Sequence, residues 1–116
     1  MNINQTNMTP GIIFTGGELI IRGRSIPEDA VRFYEPLNEE LKKYVENPLA
    51  KTFVKIDMDY INTSSSMVIL EMLKLFSETP DVQVEWVYEE VDEDIKELGE
   101  FYEEFSKLSF KFIEKR

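Results

Sequence analysis

Cysteine and histidine are both absent from this 116-residue chain, and each absence excludes several kinds of chemistry. Without a thiol there is no cysteine nucleophile and no disulfide, and without an imidazole there is no Ser-His-Asp triad. Zinc sites built from Cys and His are excluded too, so a bound metal would have to be a hard cation held by Asp and Glu oxygens. We expect neither a metal nor a cofactor.

Basic residues are scarce as well: 13 Lys and Arg stand against 23 Asp and Glu, which gives a formal net charge of −10. This balance argues against binding to a nucleic-acid backbone or to anionic lipid, because both require clusters of positive charge. No apolar run approaches the roughly 20 residues of a membrane span, and no signal peptide opens the chain. We expect a cytoplasmic protein that binds neither nucleic acid nor membrane.

What the chain does contain is enough apolar material for one folded domain, since 42% of its residues are hydrophobic. Residues 1–9 are polar and without periodicity, which predicts a flexible N-terminal tail before a single domain at 10–116.

Ten acids and one lysine fall within residues 85–104. Such a segment is either a solvated face or a surface able to orient a basic partner.

The order of apolar residues predicts an α/β fold. Two short strands joined by Gly16-Gly17 indicate a hairpin, and strict alternation predicts strands at 53–61 and 82–89. Helical spacing begins near Ser25-Ile26-Pro27-Glu28 and continues through Pro36 to Asn47, which predicts a kinked or two-part helix. Further helices are expected at 67–76 and 92–107, with an edge strand at 110–113. The sequence thus predicts a mixed sheet of about five strands, with three helices mainly on one face.

Five small polar residues, Asn-Thr-Ser-Ser-Ser at 62–66, lie between a predicted strand and a very apolar helix. In open α/β sheets this edge collects ligands, and a helix N-terminus favours a phosphate group. The simpler interpretation is an ordinary N-cap, although a cap needs only one such residue. The segment alone leaves both interpretations open.

Asp57 and Asp59 form a D-x-D pair on one face of a predicted strand, with their Cα atoms about 6.6 Å apart. The pair resembles the Mg²⁺ or aspartyl-phosphate sites of haloacid-dehalogenase-type phosphatases and receiver domains. The remainder of such a site is missing, since the chain offers no nearby basic residue. A phosphatase-like enzyme is therefore the less favoured alternative, and we expect no enzymatic activity.

Six short motifs together resemble the SiaC family of bacterial regulatory phosphoproteins. They are TP-x-I (9–12), GRSIPEDA (23–30), FYEPL (33–37), YINTSSS (60–66), VEWVYEE (84–90) and FKFI (110–113). The resemblance covers almost the whole chain after the tail. That family is itself similar to the anti-sigma-factor antagonists, so the resemblance implies a STAS-like domain without catalytic activity of its own.

The resemblance also implies a switch. A partner-switching serine/threonine kinase would phosphorylate Thr63, and a PP2C-type phosphatase would remove the phosphate. The unphosphorylated form would bind an effector, which in the best-known case of the family is a diguanylate cyclase. Asn62, Ser64 and Ser65 would shape the turn.

The partner-binding surface is expected beside Thr63. The helix that follows is more apolar than one-sided burial requires, so we expect Met67, Leu70 and Glu71 to remain exposed in its first turns. If that strip were buried, the acidic third helix would be the next candidate. The alternative function is a constitutive acidic adaptor, in which the polar turn is only a cap.

Overall fold

The computed structural model describes residues 1–115, which form six strands and three helices. Their order and bounds are β1 (Asn2–Ile3), β2 (Gly11–Thr15), β3 (Glu18–Ser25), α1 (Ala30–Glu46), β4 (Thr52–Ile61), α2 (Thr63–Lys74), β5 (Val82–Glu89), α3 (Glu93–Ser106) and β6 (Ser109–Lys115). None of the helices in this range combines the length and apolarity needed to span a bilayer.

The strands form one sheet in the order β1-β2-β3-β4-β5-β6. The first two pairings are antiparallel and the other three are parallel. The hairpin between β2 and β3 turns at Gly16 and Gly17, whose φ angles of 57° and 78° favour glycine. The predicted mixed α/β sheet with an N-terminal hairpin is confirmed, with six strands instead of about five.

The additional strand is β1, which lies within the segment of residues 1–9 that the sequence predicts to be a flexible tail. Ile3 pairs with Ile12, and the N-terminal amine of Met1 donates a hydrogen bond to the carbonyl of Phe14 at 2.9 Å. Farther along, the Gln5 side chain lies against Gly23, where an added Cβ would come within 2.8 Å of it. These contacts are long-range, so they leave no periodic pattern in the sequence of the segment.

Strict alternation along β4 separates a covered face of the sheet from a more open one. Thr52, Val54, Ile56 and Met58 are buried, whereas the residues between them are only partly covered. The corresponding positions of β3 and β5 are also buried and join one core cluster with residues of all three helices. This is the arrangement that burying one face of an alternating sheet under helices produces.

Helix α1 begins four residues later than the capping signal at Ser25 predicts. Its N-cap is Asp29, whose carboxylate accepts a hydrogen bond from the amide of Arg32 at 3.1 Å. Ser25 is instead the last residue of β3, and its hydroxyl is used in a buried hydrogen-bond network. Pro36 lies inside a single continuous helix, so of the predicted kinked or two-part helix the two-part form does not occur.

Candidate functional site at the start of α2

The polar turn joins the end of β4 to the start of α2, as the sequence predicts. Asn62 is the N-cap: its side-chain oxygen accepts from the amide of Ser65 at 2.9 Å and from the hydroxyl of Ser64 at 3.3 Å. The amide of Asn62 in turn donates to the carbonyl of Ser25 at 2.9 Å. A single residue therefore caps the helix and fixes the turn to β3.

Thr63 is the first residue of α2, and its side chain is exposed. Within residues 1–115, no hydrogen bond involves its hydroxyl. The hydroxyls of two residues that follow it are engaged, because Ser64 donates to Asn62 and Ser66 donates to the carbonyl of Thr63 at 2.8 Å. Of the four hydroxyls in the turn, that of Thr63 is the one without a hydrogen bond within residues 1–115.

Ser65 supports the turn from within the protein core. It is fully buried, and its hydroxyl oxygen accepts a hydrogen bond from the Ser25 hydroxyl at 2.8 Å. The Ser25 hydroxyl is also hydrogen-bonded to the phenol of Tyr34 at 2.6 Å. Burial raises the pKa of Tyr34 to about 12, opposed by the hydrogen bond to Ser25. This network joins β3, α1 and α2 behind the turn, and Ser65 shapes the turn from the inside.

A second tyrosine holds the turn from the other side. The phenol of Tyr102, on α3, donates to the carbonyl of Ser66 at 2.8 Å. Its ring packs edge-on against Trp86, with the centroids 5.4 Å apart. Burial is also the main cause that raises the pKa of Tyr102 above its usual value. The sequence pattern predicts the buried rings but does not indicate where the two phenols bond.

A shallow groove between α1 and α2 lies next to the turn. Its lining includes Val31, Asn38, Met67, Val68 and Glu71. Val31 is 67% exposed and Met67 is 56% exposed, so the groove offers apolar surface to a partner. The side-chain oxygen of Asn38 is buried, and no hydrogen-bond partner for it lies in residues 1–115. The groove therefore offers a partner mainly apolar contacts.

The expected exposure of this strip is right for Met67 and Glu71 and wrong for Leu70. Leu70 is only 4% exposed and belongs to the core cluster. The buried stripe of α2 is wide, because the helix packs between α1 and α3 as well as on the sheet; it comprises Ser65, Ile69, Leu70, Met72 and Leu73. Leu70 is therefore a core residue, and Met67 marks the edge of the exposed strip.

The D-x-D pair has a basic partner that the sequence does not indicate. Lys115, on β6, places its ammonium nitrogen 2.6 Å from the Asp57 carboxylate and 3.9 Å from those of Asp59 and Glu89. The hydrogen bond to Asp57 is the main cause that raises the pKa of Lys115. In the part of the chain that the structure describes, no group of three or more acidic side chains is arranged to hold a metal ion.

Taken together, the mixed sheet, the helices on one face and the capped polar turn define a mixed α/β domain with an exposed threonine at the start of α2. The family model described as SiaC family regulatory phosphoprotein matches residues 3–115. The chain belongs to the SiaC family of regulatory phosphoproteins.

Solved structures agree with this fold. A chain in the crystal structure of the diguanylate cyclase SiaD in complex with its activator SiaC from Pseudomonas aeruginosa superposes with a TM-score of 0.90, at 23% identity over 99% of both chains. SiaC of Pseudomonas aeruginosa gives 0.83 at 25% identity, over 97% of this chain and 94% of that one. The crystal structure of apo-SiaC from the same organism gives 0.82 at 24% identity, over 100% and 98%. Comparison with curated protein sequences yields no significant match.

Proposed function

We propose that this protein is a cytoplasmic, non-catalytic partner switch that binds an effector, a diguanylate cyclase, while Thr63 is unphosphorylated. A serine/threonine kinase prevents effector binding by phosphorylating Thr63, and a PP2C-type phosphatase restores binding by removing the phosphate. The observation that carries the proposal is the free, exposed Thr63 hydroxyl at the first position of α2. Membership of a family of regulatory phosphoproteins supports it.

The fold itself is expected to tolerate the phosphate. A phosphate on Thr63 adds about −1.5 to −2 charges and three acceptor oxygens. At the N-terminus of a helix these meet the positive end of the helix dipole and backbone N–H groups, so the modification costs the folded state little. Asn62 already caps the helix without help from Thr63, and the unmodified turn is therefore stable as well.

A docked partner is affected differently. Thr63 begins the helix that carries Met67, and Met67 and Glu71 line the groove between α1 and α2. An effector that packs over this end of α2 contacts a small neutral hydroxyl in one state and must desolvate a dianion in the other. Each 1.4 kcal/mol lost from such a contact weakens binding about tenfold. Phosphorylation would thus act on binding and leave the fold unchanged.

The effector is inferred from the structural relatives. SiaC of Pseudomonas aeruginosa is the activator of the diguanylate cyclase SiaD in the complex that superposes well on this chain. The groove between α1 and α2 suits an amphipathic segment of such an enzyme, since Val31 and Met67 supply adaptable apolar contacts.

Intact mass spectrometry of the protein purified from its host tests the switch. We expect a species carrying one added phosphate, which peptide mapping assigns to Thr63. Addition of the host PP2C-type phosphatase should remove it, and Thr63→Ala should never acquire it. Protein that stays unmodified under every growth condition would contradict the switch and favour the constitutive adaptor.

The enzyme alternative needs its own measurement. Asp57 is hydrogen-bonded to Lys115, so a basic residue does lie beside the D-x-D pair, but no group of three or more acidic side chains within residues 1–115 is arranged to hold the Mg²⁺ that the phosphatase interpretation needs. We expect no hydrolysis of p-nitrophenyl phosphate in the presence of Mg²⁺. Asp81→Asn is the control, because it changes an exposed carboxylate elsewhere on the surface. Turnover that disappears in Asp57→Asn but persists in Asp81→Asn would support the phosphatase-like alternative.

A further inference from the structure

Helix α3 carries two large aromatic side chains that the fold does not bury. Phe101 is 44% exposed and Phe105 is 48% exposed, and their ring centroids are 4.5 Å apart. They are one helical turn apart, so the two rings form a continuous apolar patch, which we call the aromatic strip. Exposed apolar surface of this kind costs free energy in water and often marks a site of protein contact.

The orientation of α3 is fixed by its opposite side. Ile95, Gly99, Tyr102 and Ser106 are buried, and the indole nitrogen of Trp86 donates to the carbonyl of Ile95 at 2.9 Å. A Cβ at Gly99 would lie 2.4 Å from that indole nitrogen, so the helix backbone sits directly on the Trp86 ring. The helix cannot rotate to bury the aromatic strip without losing this packing.

Acidic side chains border the aromatic strip. Glu97 and Glu104 are helical neighbours of Phe101, and Glu100 lies between them on the solvent side. All three are exposed, and within residues 1–115 no ion pair involves them. Glu103, by contrast, accepts a hydrogen bond from the amide of Phe110 and belongs to the fold. We call Glu97, Glu100 and Glu104 the acidic ridge.

We propose that the aromatic strip and acidic ridge of α3 form a second docking surface, which binds a basic amphipathic helix of a partner protein. Charge complementarity selects the occupant, because unpaired carboxylates favour Lys and Arg at the rim while the Phe rings receive apolar side chains. The rings also offer their faces to cations. A second copy of this chain is disfavoured, since it would bring one acidic ridge against another at a net charge of −10 per chain.

This surface is independent of the switch. Thr63 lies at the N-terminus of α2, whereas the aromatic strip lies on the outer side of α3. A partner could therefore remain attached through α3 while phosphorylation governs the contact beside Thr63. Loss of binding at α3 is expected to leave phosphorylation of Thr63 unchanged, so the two proposals fail separately.

The test uses an 18-residue peptide of Leu and Lys with leucines at helical spacing, titrated into the ¹⁵N-labelled full chain. We expect amide shift changes centred on residues 97–105 and binding that weakens with added salt. A peptide of the same composition with scrambled order is the control for unspecific attraction. Equal affinity for both peptides, or shift changes centred on α1 or α2, would overturn the proposal.

Two paired variants locate the contact. Phe101→Ser with Phe105→Ser should raise the Kd about tenfold or more. Glu100→Gln with Glu104→Gln should raise it several-fold and flatten its salt dependence, and these exposed positions keep the test decisive if the Ser pair fails to fold. Glu35→Gln with Glu40→Gln removes the same charge from exposed positions of α1 and should leave the Kd nearly unchanged. Equal losses in both Gln pairs would overturn the proposal, as would self-association through this face in sedimentation.

Discussion

The phenol of Tyr102, on α3, donates a hydrogen bond to the carbonyl of Ser66 at 2.8 Å and so holds the first turn of α2, although the two residues are 36 positions apart in the chain. Together with the Tyr34–Ser25–Ser65 network, this bond fixes the backbone on both sides of Ser65. Thr63 is therefore presented from a rigid base, with its own hydroxyl left free. Under the proposed function, a rigid backbone around the Thr63 hydroxyl lowers the ordering cost of its recognition by a kinase, a phosphatase and an effector.

Tyr102→Phe tests this support. The variant keeps the ring against Trp86 but leaves the Ser66 carbonyl without its partner, which costs about 1–2 kcal/mol of unfolding free energy. We expect a melting temperature several degrees lower and faster amide exchange in the first turn of α2. Tyr60→Phe is the matched control, because Tyr60 is half-exposed and its phenol forms no hydrogen bond within residues 1–115. Identical melting of the two variants would contradict the supporting role.

Tyr34 predicts a dependence of stability on alkaline pH. Its pKa is about 12 in the folded protein and 10.0 in the ordinary, unfolded state, so the neutral phenol is favoured by folding. The resulting contribution, about 2–3 kcal/mol, is complete below pH 10 and is lost as the pH rises toward 12. Urea unfolding between pH 9 and pH 12 should show a flatter decline for Tyr34→Phe than for wild type. Parallel declines would show that Tyr34 does not titrate this way.

Gly99→Ala tests the contact that orients α3. Its new Cβ would overlap the Trp86 indole, so the helix or the ring must shift. Overpacking of this kind costs about 1–3 kcal/mol, even though alanine is the better helix former. We expect a lower midpoint of urea unfolding and a changed Trp86 fluorescence spectrum. Glu100→Ala, on the exposed side of the same helix, should leave both unchanged.

Thr63→Asp and Thr63→Ala test the switch itself. Both should fold, with at most about 1 kcal/mol lost from stability, because Asn62 supplies the helix cap. Thr63→Asp should bind the effector about tenfold or more weakly, a loss of about 1.4 kcal/mol, since it places a charge where the partner packs. Thr63→Ala should bind like the unmodified protein. Isothermal titration with the host diguanylate cyclase measures the affinity of each variant. Equal affinities of the two variants would disprove the hypothesis that charge at residue 63 controls binding.

Local pattern predicted most of the fold. Alternation located β4 and β5, the Gly16-Gly17 pair located the hairpin, and apolar spacing located all three helices within a few residues. The start of α1 was misplaced because Ser25, a good capping residue, has its hydroxyl taken by Tyr34 and Ser65. Tertiary hydrogen bonds of Ser25 thus determine where α1 begins, and such bonds cannot be read from a single sequence.

The location of the candidate site could also be predicted from local pattern, whereas its tertiary contacts could not. A strand, a polar turn and an apolar helix indicated where Thr63 lies, but its free hydroxyl follows from the bonds of its neighbours Ser64 and Ser66. The partner of Asp57 was missed because Lys115 is 58 residues away along the chain. Leu70 was misassigned because only the packing of α2 between its neighbours shows which side of so apolar a helix remains exposed.

Met67→Glu and Leu70→Glu separate the docking surface from the core. Met67 is 56% exposed, so a glutamate there should shift the melting temperature little. It should nevertheless weaken binding of the effector strongly, because it removes an apolar contact and adds a charge beside Thr63. Leu70 is 4% exposed, and a glutamate buried in that position should unfold the domain or lower its melting temperature severely.

The control for Met67→Glu is Val91→Glu. Val91 is an apolar residue that is 91% exposed in the turn between β5 and α3, and it does not line the groove between α1 and α2. The same charge added there should change neither the melting temperature nor the affinity for the effector. Melting is followed by circular dichroism and affinity by titration with the host cyclase. If Met67→Glu bound as tightly as Val91→Glu, the groove would not be the docking surface, and the acidic side of α3 would be the next place to examine.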